Sequence, residues 1–357
     1  KEREEQILRR GLSFTIEFPD EVIVGYQIKD QTEPIKCDPV DEQLRQKYKC
    51  DPIPYNVKVG RHQISLIRAD AEKMKKEKPE TISEHFAAFW KDVTNFFKGE
   101  KKEEGTIIVL FNPWLKESPV YMKDDNERRE YVMEQSGRQY YGNIPHNARH
   151  EGTNQGVGSM SWAYHQFDSD VLDAVVLLLD TAQSDYDLSN PIWVSRHLTN
   201  VLSATTDRNV NGVLHVKWPG AGATDPYKDG SSPTSWTGSR MIFSQWLKDK
   251  QSVKYGQCWV FAGILTSALR TLGIPSRSLT TFRSAHDTRS ESDAVNEYDH
   301  IIHYQTSTES IWNFHVWVDA WMSRSDLEAG LVGWNAVDAT PQESSSLDGE
   351  MTMGPAD

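Results

Sequence analysis

Cysteine is scarce in this chain: three residues in 357 are too few for a disulfide framework, so the fold must rest on apolar burial. Cys37 and Cys50 lie in two copies of the tetrapeptide KCDP and either pair with each other or stay free, which leaves Cys258 as the odd thiol. So low a cysteine content points to a reducing, cytoplasmic compartment; an extracellular or membrane-associated location through segments outside this chain is the alternative. Long hydrophobic runs are missing too. Nothing approaches the ~20 apolar residues of a membrane span, and the opening KEREEQILRRG has no signal-peptide core. That opening begins with Lys rather than Met, as a segment of a longer protein would. The third shortage is of positive charge. A formal net charge of −13 excludes a sequence-independent nucleic-acid binder, which needs clustered Lys and Arg against the phosphates. An acidic balance is compatible with divalent cation sites.

What is present is a globular composition, 38% hydrophobic and 10% aromatic, in a chain long enough for two domains at roughly 150 residues each. Residues 6–70 read as strands and turns: LSFTIEF, EVIVGYQI, YNVKVG and QISLIRA are short, β-rich and separated by Pro, Gly and Asp. Residues 71–104 change register to mixed-charge runs around TISEHFAAFWKDVTNFF, an amphipathic helix in a solvated linker. From 105 to 357 the chain is aromatic and dense. SDVLDAVVLLLDTA, PIWVSRHLTNVLSA and SRMIFSQWLKD read as helices, followed by a helix opening at Cys258 and the strands SRSLTTFRSA, YDHIIHYQTS, SIWNFHVWVDAW and GWNAVDAT. Helices followed by a run of antiparallel strands make this region α+β.

In VKYGQCWVFAGILTSALRTLGIPSR, Phe261, Ile264, Leu265, Ala268, Leu269 and Leu272 recur at helical spacing, and Gly273 and Pro275 stop the helix. Cys258 therefore stands in the first turn. The unpaired N–H groups and partial positive charge of a helix N-terminus suit a nucleophilic thiolate and a developing oxyanion. A buried packing thiol is the competing reading, and partners must decide it.

Strict alternation in SIWNFHVWVDAW places Trp312, Phe314, Val316 and Val318 on one face and Asn313, His315, Trp317 and Asp319 on the other. The following strand carries Asp338, and two neighbouring antiparallel strands can set His315 beside it. Cys, then His, then Asp, with the nucleophile on a helix and the others on adjacent strands, is the papain-type order and fits acyl transfer through a thioester. A cysteine peptidase or amidase would use the same three residues, and a catalytically silent structural protein would keep only their fold. His300 and His303 lie on a strand at a spacing that faces them opposite ways, so no metal is assigned to them.

The blocks SPTSWTGS, YGQCWVFAG, LGIPSR, SAHD, IWNFHVWV and AVDATPQE resemble the catalytic core of the calcium-dependent transglutaminases, the family of tissue transglutaminase, coagulation factor XIII A chain and annulin. LFNPW, VYMKDDNERREYVMEQSG and QFDSDVLDAVVLLLD agree in the same order, so the resemblance runs from about Gly105 to Gln342. LRRGLSFTIEF resembles the start of the family's N-terminal β-sandwich, here partial. The resemblance implies a papain-like cysteine transferase in which Cys258, His315 and Asp338 catalyse, the Trp236 indole N–H and the Cys258 backbone N–H hold the oxyanion, and Trp312 walls the amine-side tunnel. It implies transfer from a protein Gln to a Lys or another small primary amine, forming isopeptide cross-links and releasing ammonia.

It also implies calcium. ATTDRNVNG offers Asp207, Asn209 and Asn211 before Gly212, with the Ala204 carbonyl in reach, a set of hard oxygen donors where the family has its tightest site. A second set, Asp287, Glu291, Asp293 and Glu309, follows SAHD in the family's regulatory region, although Arg289 interrupts it with a positive charge. The chain stops at Asp357, where the family's catalytic domain continues toward further acidic ligands and two β-barrels.

Overall fold

A computed structural model of the protein describes residues 6–11, 13–17, 23–29, 35–39, 47–68, 103–142, 156–182, 187–204, 212–218, 224–286, 310–327 and 331–341. The helix expected in TISEHFAAFWKDVTNFF and the strand YDHIIHYQTS, with His300 and His303, lie outside them. The chain divides into two units, Lys1–Ser118 and Pro119–Asp357.

The first unit is built on β1 (Gln6–Arg9), β2 (Phe14–Glu17), β3 (Ile23–Ile28), β4 (Ile35–Pro39), β5 (Lys47–Cys50), β6 (Gly60–Arg68) and β7 (Glu103–Leu110), hydrogen-bonded in the order β1-β7-β6-β3-β4-β5-β2. Only β1 and β7 run parallel; every other pair is antiparallel. Because β7 lies between β1 and β6, residues 103–118 belong to this unit, and the boundary read at 105 moves to 119. YNVKVG is not a strand of its own: Tyr55–Val59 is turn and bend and only Gly60 enters β6, after Pro52 and Pro54, which have no N–H to offer a ladder. Ile28, Ile35, Ile53, Val57, Ile107 and Val109 pack around Cys37 and Cys50. These two cysteines are direct ladder partners on β4 and β5 and form a disulfide.

The second unit opens with α1 (Asp125–Arg128), capped by the Asp124 carboxylate and running into a π-turn at Arg129–Met133. A hairpin of β8 (Ser136–Gly142) and β9 (Val157–Ala163) follows, then α2 (Ser169–Leu179) and α3 (Pro191–Leu202). Asn190 caps α3, and Pro191 occupies its first turn, where a missing N–H costs nothing. Next come β10 (Leu214–Val216), α4 (Ser239–Asp249), β11 (Val253–Gly256) and α5 (Cys258–Thr271). The last described elements, β12 (Ser276–His286), β13 (Ser310–Ser323) and β14 (Val332–Val337), form an antiparallel sheet in that order.

The Cys258 helix is buried beyond the apolar positions its spacing marked: every residue of α5 is buried. A helix apolar nearly all round belongs in the middle of a domain. Val316, Val318 and Ala320 of β13 are likewise completely buried, which holds that sheet's apolar face inside the domain. Gly263 is required here, since a Cβ would stand 2.3 Å from the indole of Trp162. Gly273 ends the helix at φ +88°, with Ile274 N–H returning to the Leu269 carbonyl at 2.9 Å. Arg270, also buried, donates from Nε and Nη2 to the Ser276 carbonyl and so ties the helix end to the start of β12.

Candidate active site

Cys258 is the first residue of α5 and is 2% exposed. The Gln257 carbonyl accepts from the N–H groups of Val260 and Phe261, leaving the first-turn N–H groups of Cys258 and Trp259 without an intrahelical acceptor. The Gln257 side chain makes no cap; its Nε2 donates to the Lys217 carbonyl at 3.0 Å and to the Tyr227 hydroxyl at 3.1 Å.

His315 lies in the middle of β13, and Asp338 directly follows β14. The register Val318↔Val337 sets the next residue, Asp338, opposite Trp317, diagonal to His315 on the same face. His315 Nε2 donates to Asp338 Oδ2 at 2.6 Å, while Asp338 Oδ1 accepts from the Thr340 N–H at 2.8 Å. Both carboxylate oxygens are thus used, and the imidazole is fixed with Nδ1 as its remaining nitrogen. Nδ1 is buried and meets no partner at strict hydrogen-bond geometry, yet the Cys258 thiol acts on the ring as both hydrogen-bond partner and charge. The thiol–imidazole contact is therefore looser than the imidazole–carboxylate one, as resting catalytic pairs often are. Burial pulls the imidazole pKa down, but the Asp338 hydrogen bond, the Cys258 interaction and the charges of both outweigh it, and the pKa rises from 6.5 to about 10. The arrangement favours an imidazolium beside the sulfur.

The two tryptophans expected at the site, Trp236 and Trp312, separate, and a third joins them. Trp312 meets His315 edge-to-face with centroids 5.3 Å apart, although strict alternation had put the two on opposite faces of β13. Trp236 is buried, and its indole Nε1–H is committed to the Tyr255 carbonyl at 2.8 Å. Trp218, which the sequence did not single out, packs edge-to-face on Trp312 at 4.9 Å, and its buried Nε1–H has no hydrogen-bond partner among the described residues. β10 and β11 pair in parallel with Val216 opposite Gly256, so two residues further along the pair come Trp218 and Cys258. The signal for Trp218 was this long-range pairing. On another side of Trp236, a cavity of about 520 Å³ is lined by Tyr141, Met160, Trp259 and Phe314, with no charged side chain on its wall.

Residues 226–339 match the transglutaminase-like superfamily. The chain carries a transglutaminase-like domain. The human relative named protein-glutamine gamma-glutamyltransferase 4 is 42% identical over 260 residues, 72% of this chain and 35% of that protein. Human coagulation factor XIII A chain is 38% identical over 259 residues, covering 72% of this chain and 33% of its own length. The crystal structure of red sea bream transglutaminase superposes with a TM-score of 0.69 at 28% identity, over 99% of this chain and 52% of that one. The chain thus spans about a third of the length of these curated relatives.

Within the transglutaminase-like unit the calcium readings meet only part of the described chain. Asp207, Asn209, Asn211, Asp287, Glu291, Asp293 and Glu309 lie outside the described residues, and among those described no group of three or more His, Cys, Asp or Glu is placed to hold a metal. The two ends of the first loop are described. Ala204 N–H donates to the Leu214 carbonyl at 2.9 Å, and a Cβ on Gly212 would stand 2.1 Å from the Ser203 carbonyl oxygen. Gly212 is therefore required by the close approach of the loop ends. The donor chemistry between them, one carboxylate and two amide oxygens beside the Ala204 carbonyl, fits a hard cation such as calcium. No helix among the described residues is long and apolar enough to cross a membrane.

Proposed function

We propose that the protein is a calcium-dependent protein-glutamine gamma-glutamyltransferase with a papain-like core. The observation that carries this is the His315–Asp338 hydrogen bond of 2.6 Å, which leaves Nδ1 for a thiol at a helix N-terminus. The Cys258 thiolate attacks the carboxamide carbon of a protein-bound Gln. Negative charge then gathers on the carboxamide oxygen, where the first-turn N–H of Cys258 and the Trp218 indole N–H donate to it. Trp218 takes the donor role expected of Trp236, because the Trp236 N–H already serves the Tyr255 carbonyl. His315 Nδ1–H gives its proton to the departing nitrogen; the C–N bond breaks, ammonia leaves, and a thioester remains on Cys258. A neutral primary amine, from Lys or a small molecule, attacks the thioester carbonyl. His315 takes the amine proton, the C–S bond breaks, and the thiolate is restored with an isopeptide bond on the product.

Asp338 holds the imidazole in the tautomer both steps need. The edge-to-face pair of Trp218 and Trp312 supplies an apolar wall beside the sulfur, which disfavours water and so favours aminolysis over hydrolysis. Calcium, when bound, would be held by Asp207, Asn209, Asn211 and the Ala204 carbonyl, and would supply positive charge between Ser203 and Gly212. The Cys37–Cys50 disulfide supports the extracellular alternative over a reducing cytoplasm.

The test is incubation of the protein with calcium, a Gln-containing peptide and a labelled primary amine. The peptide should gain the mass of the amine less that of ammonia; a peptide that is only deamidated, or cleaved, would instead support the amidase or peptidase chemistry of the same three residues.

A further inference from the structure

Trp218 and Cys258 each lie two residues beyond the end of a short strand, and Cys258 opens α5. β10 has three residues and β11 four, and beyond Val216↔Gly256 the pair is continued by Lys217 N–H to the Gly256 carbonyl at 3.3 Å and by Gln257 Nε2 to the Lys217 carbonyl at 3.0 Å. Past that point the two tips are joined through side chains. Asp229 accepts from the Tyr255 hydroxyl at 2.7 Å and from Lys254 Nζ at 3.2 Å with Oδ2, and from Lys217 Nζ at 3.4 Å with Oδ1. Lys217 Nζ also lies 4.3 Å from the centroid of the Tyr255 ring. The loop carrying Asp229 is itself anchored to β11: Ser231 N–H donates to the Lys254 carbonyl at 2.8 Å, and Tyr255 N–H to the Ser231 carbonyl at 3.1 Å. The carboxylate therefore gathers Lys217, the neighbour of Trp218, and Lys254 with Tyr255, which lead through Gly256 and Gln257 into Cys258.

We propose that Asp229 is a positioning residue for acyl transfer: by tying Lys217 to Lys254 and Tyr255, its carboxylate fixes the Trp218 indole N–H relative to the Cys258 backbone N–H. This rests on the reading of Cys258 and Trp218 given under Proposed function. The hydroxyl of Tyr255, with Lys254 and Lys217, holds the Asp229 carboxyl well below the usual carboxylate range, so it is ionised throughout the neutral region. The group is 46% exposed, and half-exposed ion pairs contribute little to stability. What the network supplies is a location for two donors, and a small displacement of catalytic groups is costly.

The experiment compares the parent with Asp229→Asn and Asp229→Ala, with Asp225→Asn, exposed in the same loop, as control. Amine incorporation should show kcat down about 10–100-fold in both Asp229 variants at nearly constant KM, as for misplaced groups that act only in the transition state. The rate of Cys258 alkylation by iodoacetamide should not change, because alkylation develops no oxyanion. The melting temperature should also hold. Tyr255→Phe should repeat the split. In protein labelled with ¹⁵N-tryptophan, the indole N–H resonance that disappears in Trp218→Phe should shift in Asp229→Asn. That last readout needs no turnover, so it separates failure of this proposal from failure of the transferase reading, which would appear as a parent unable to incorporate amine. An unmoved Trp218 resonance, an unchanged kcat, or a parallel fall of kcat, alkylation rate and melting temperature would each overturn the positioning role.

Discussion

Trp218 and Trp312 meet edge-to-face with ring centroids 4.9 Å apart, and Trp312 in turn meets His315 at 5.3 Å. The contact puts an indole N–H that has no hydrogen-bond partner among the described residues on the same aromatic chain as the imidazole. The Trp236 indole N–H, by contrast, is already taken by the Tyr255 carbonyl. Trp218→Phe should therefore lower kcat for amine incorporation by about 10²–10³, the cost of removing one oxyanion donor, with little change in KM. Trp236→Phe should act mainly on stability, lowering it by about 1 kcal/mol for a lost buried hydrogen bond. Steady-state kinetics beside thermal melts of the two variants would reveal the split, and the reverse pattern would restore Trp236 as the donor.

Cys258 should be the single fast-reacting thiol. Cys37 and Cys50 are joined to each other, whereas Cys258 has the first turn of α5 and an imidazole to accept its proton. Peptide mapping after limited iodoacetamide should find the label on Cys258, and His315→Ala should slow that labelling. Equal labelling in the parent and in His315→Ala would break the thiol–imidazole pair.

The raised pKa of His315 has a consequence for stability. A histidine whose folded pKa is about 10 against 6.5 when unfolded stabilises the fold fully below about pH 6.5, and loses that contribution as pH rises through about 10. Urea unfolding of the parent should accordingly weaken between those pH values. His315→Gln should show a shallower decline over the same range; parallel declines would remove His315 as the cause.

Much of the geometry around Cys258 and His315 was legible in the sequence because each piece obeys a local rule. Apolar spacing and the Gly273 stop place Cys258 at a helix start, and period-2 alternation with the strand at Asp338 brings a carboxylate to His315. Trp218 obeys no local rule. Its position follows from the parallel pairing of β10 with β11, strands separated by more than thirty residues, and from a hydrogen bond that removes Trp236 from contention. The same limit moved the unit boundary: the segment from Gly105 reads as the start of the aromatic region, but the ladder partners of Glu103–Leu110 are Gln6–Arg9 and Gly60–Ser65. Nothing short-range distinguishes such a strand.

Calcium should stabilise the parent and not Asp207→Ala. Ligands that bind only the native form raise its melting temperature, and Asp207 is the only charged donor among Ala204, Asp207, Asn209 and Asn211. Isothermal titration should find one site fewer in Asp207→Ala, while Arg208→Ala keeps it. Equal site counts in the parent and Asp207→Ala would reduce the loop to a turn closed by Gly212.

The central claim is a thioester between Cys258 and a glutamine side chain, and it is tested most directly by trapping that bond. The protein, with calcium and a Gln-containing peptide but no amine, is quenched in acid, digested and analysed by mass spectrometry. The peptide spanning Cys258 should carry the acyl group, lose it on adding a primary amine or hydroxylamine, and be unmodified in Cys258→Ala. An unmodified Cys258 peptide, in protein that nevertheless incorporates amine, would contradict the account.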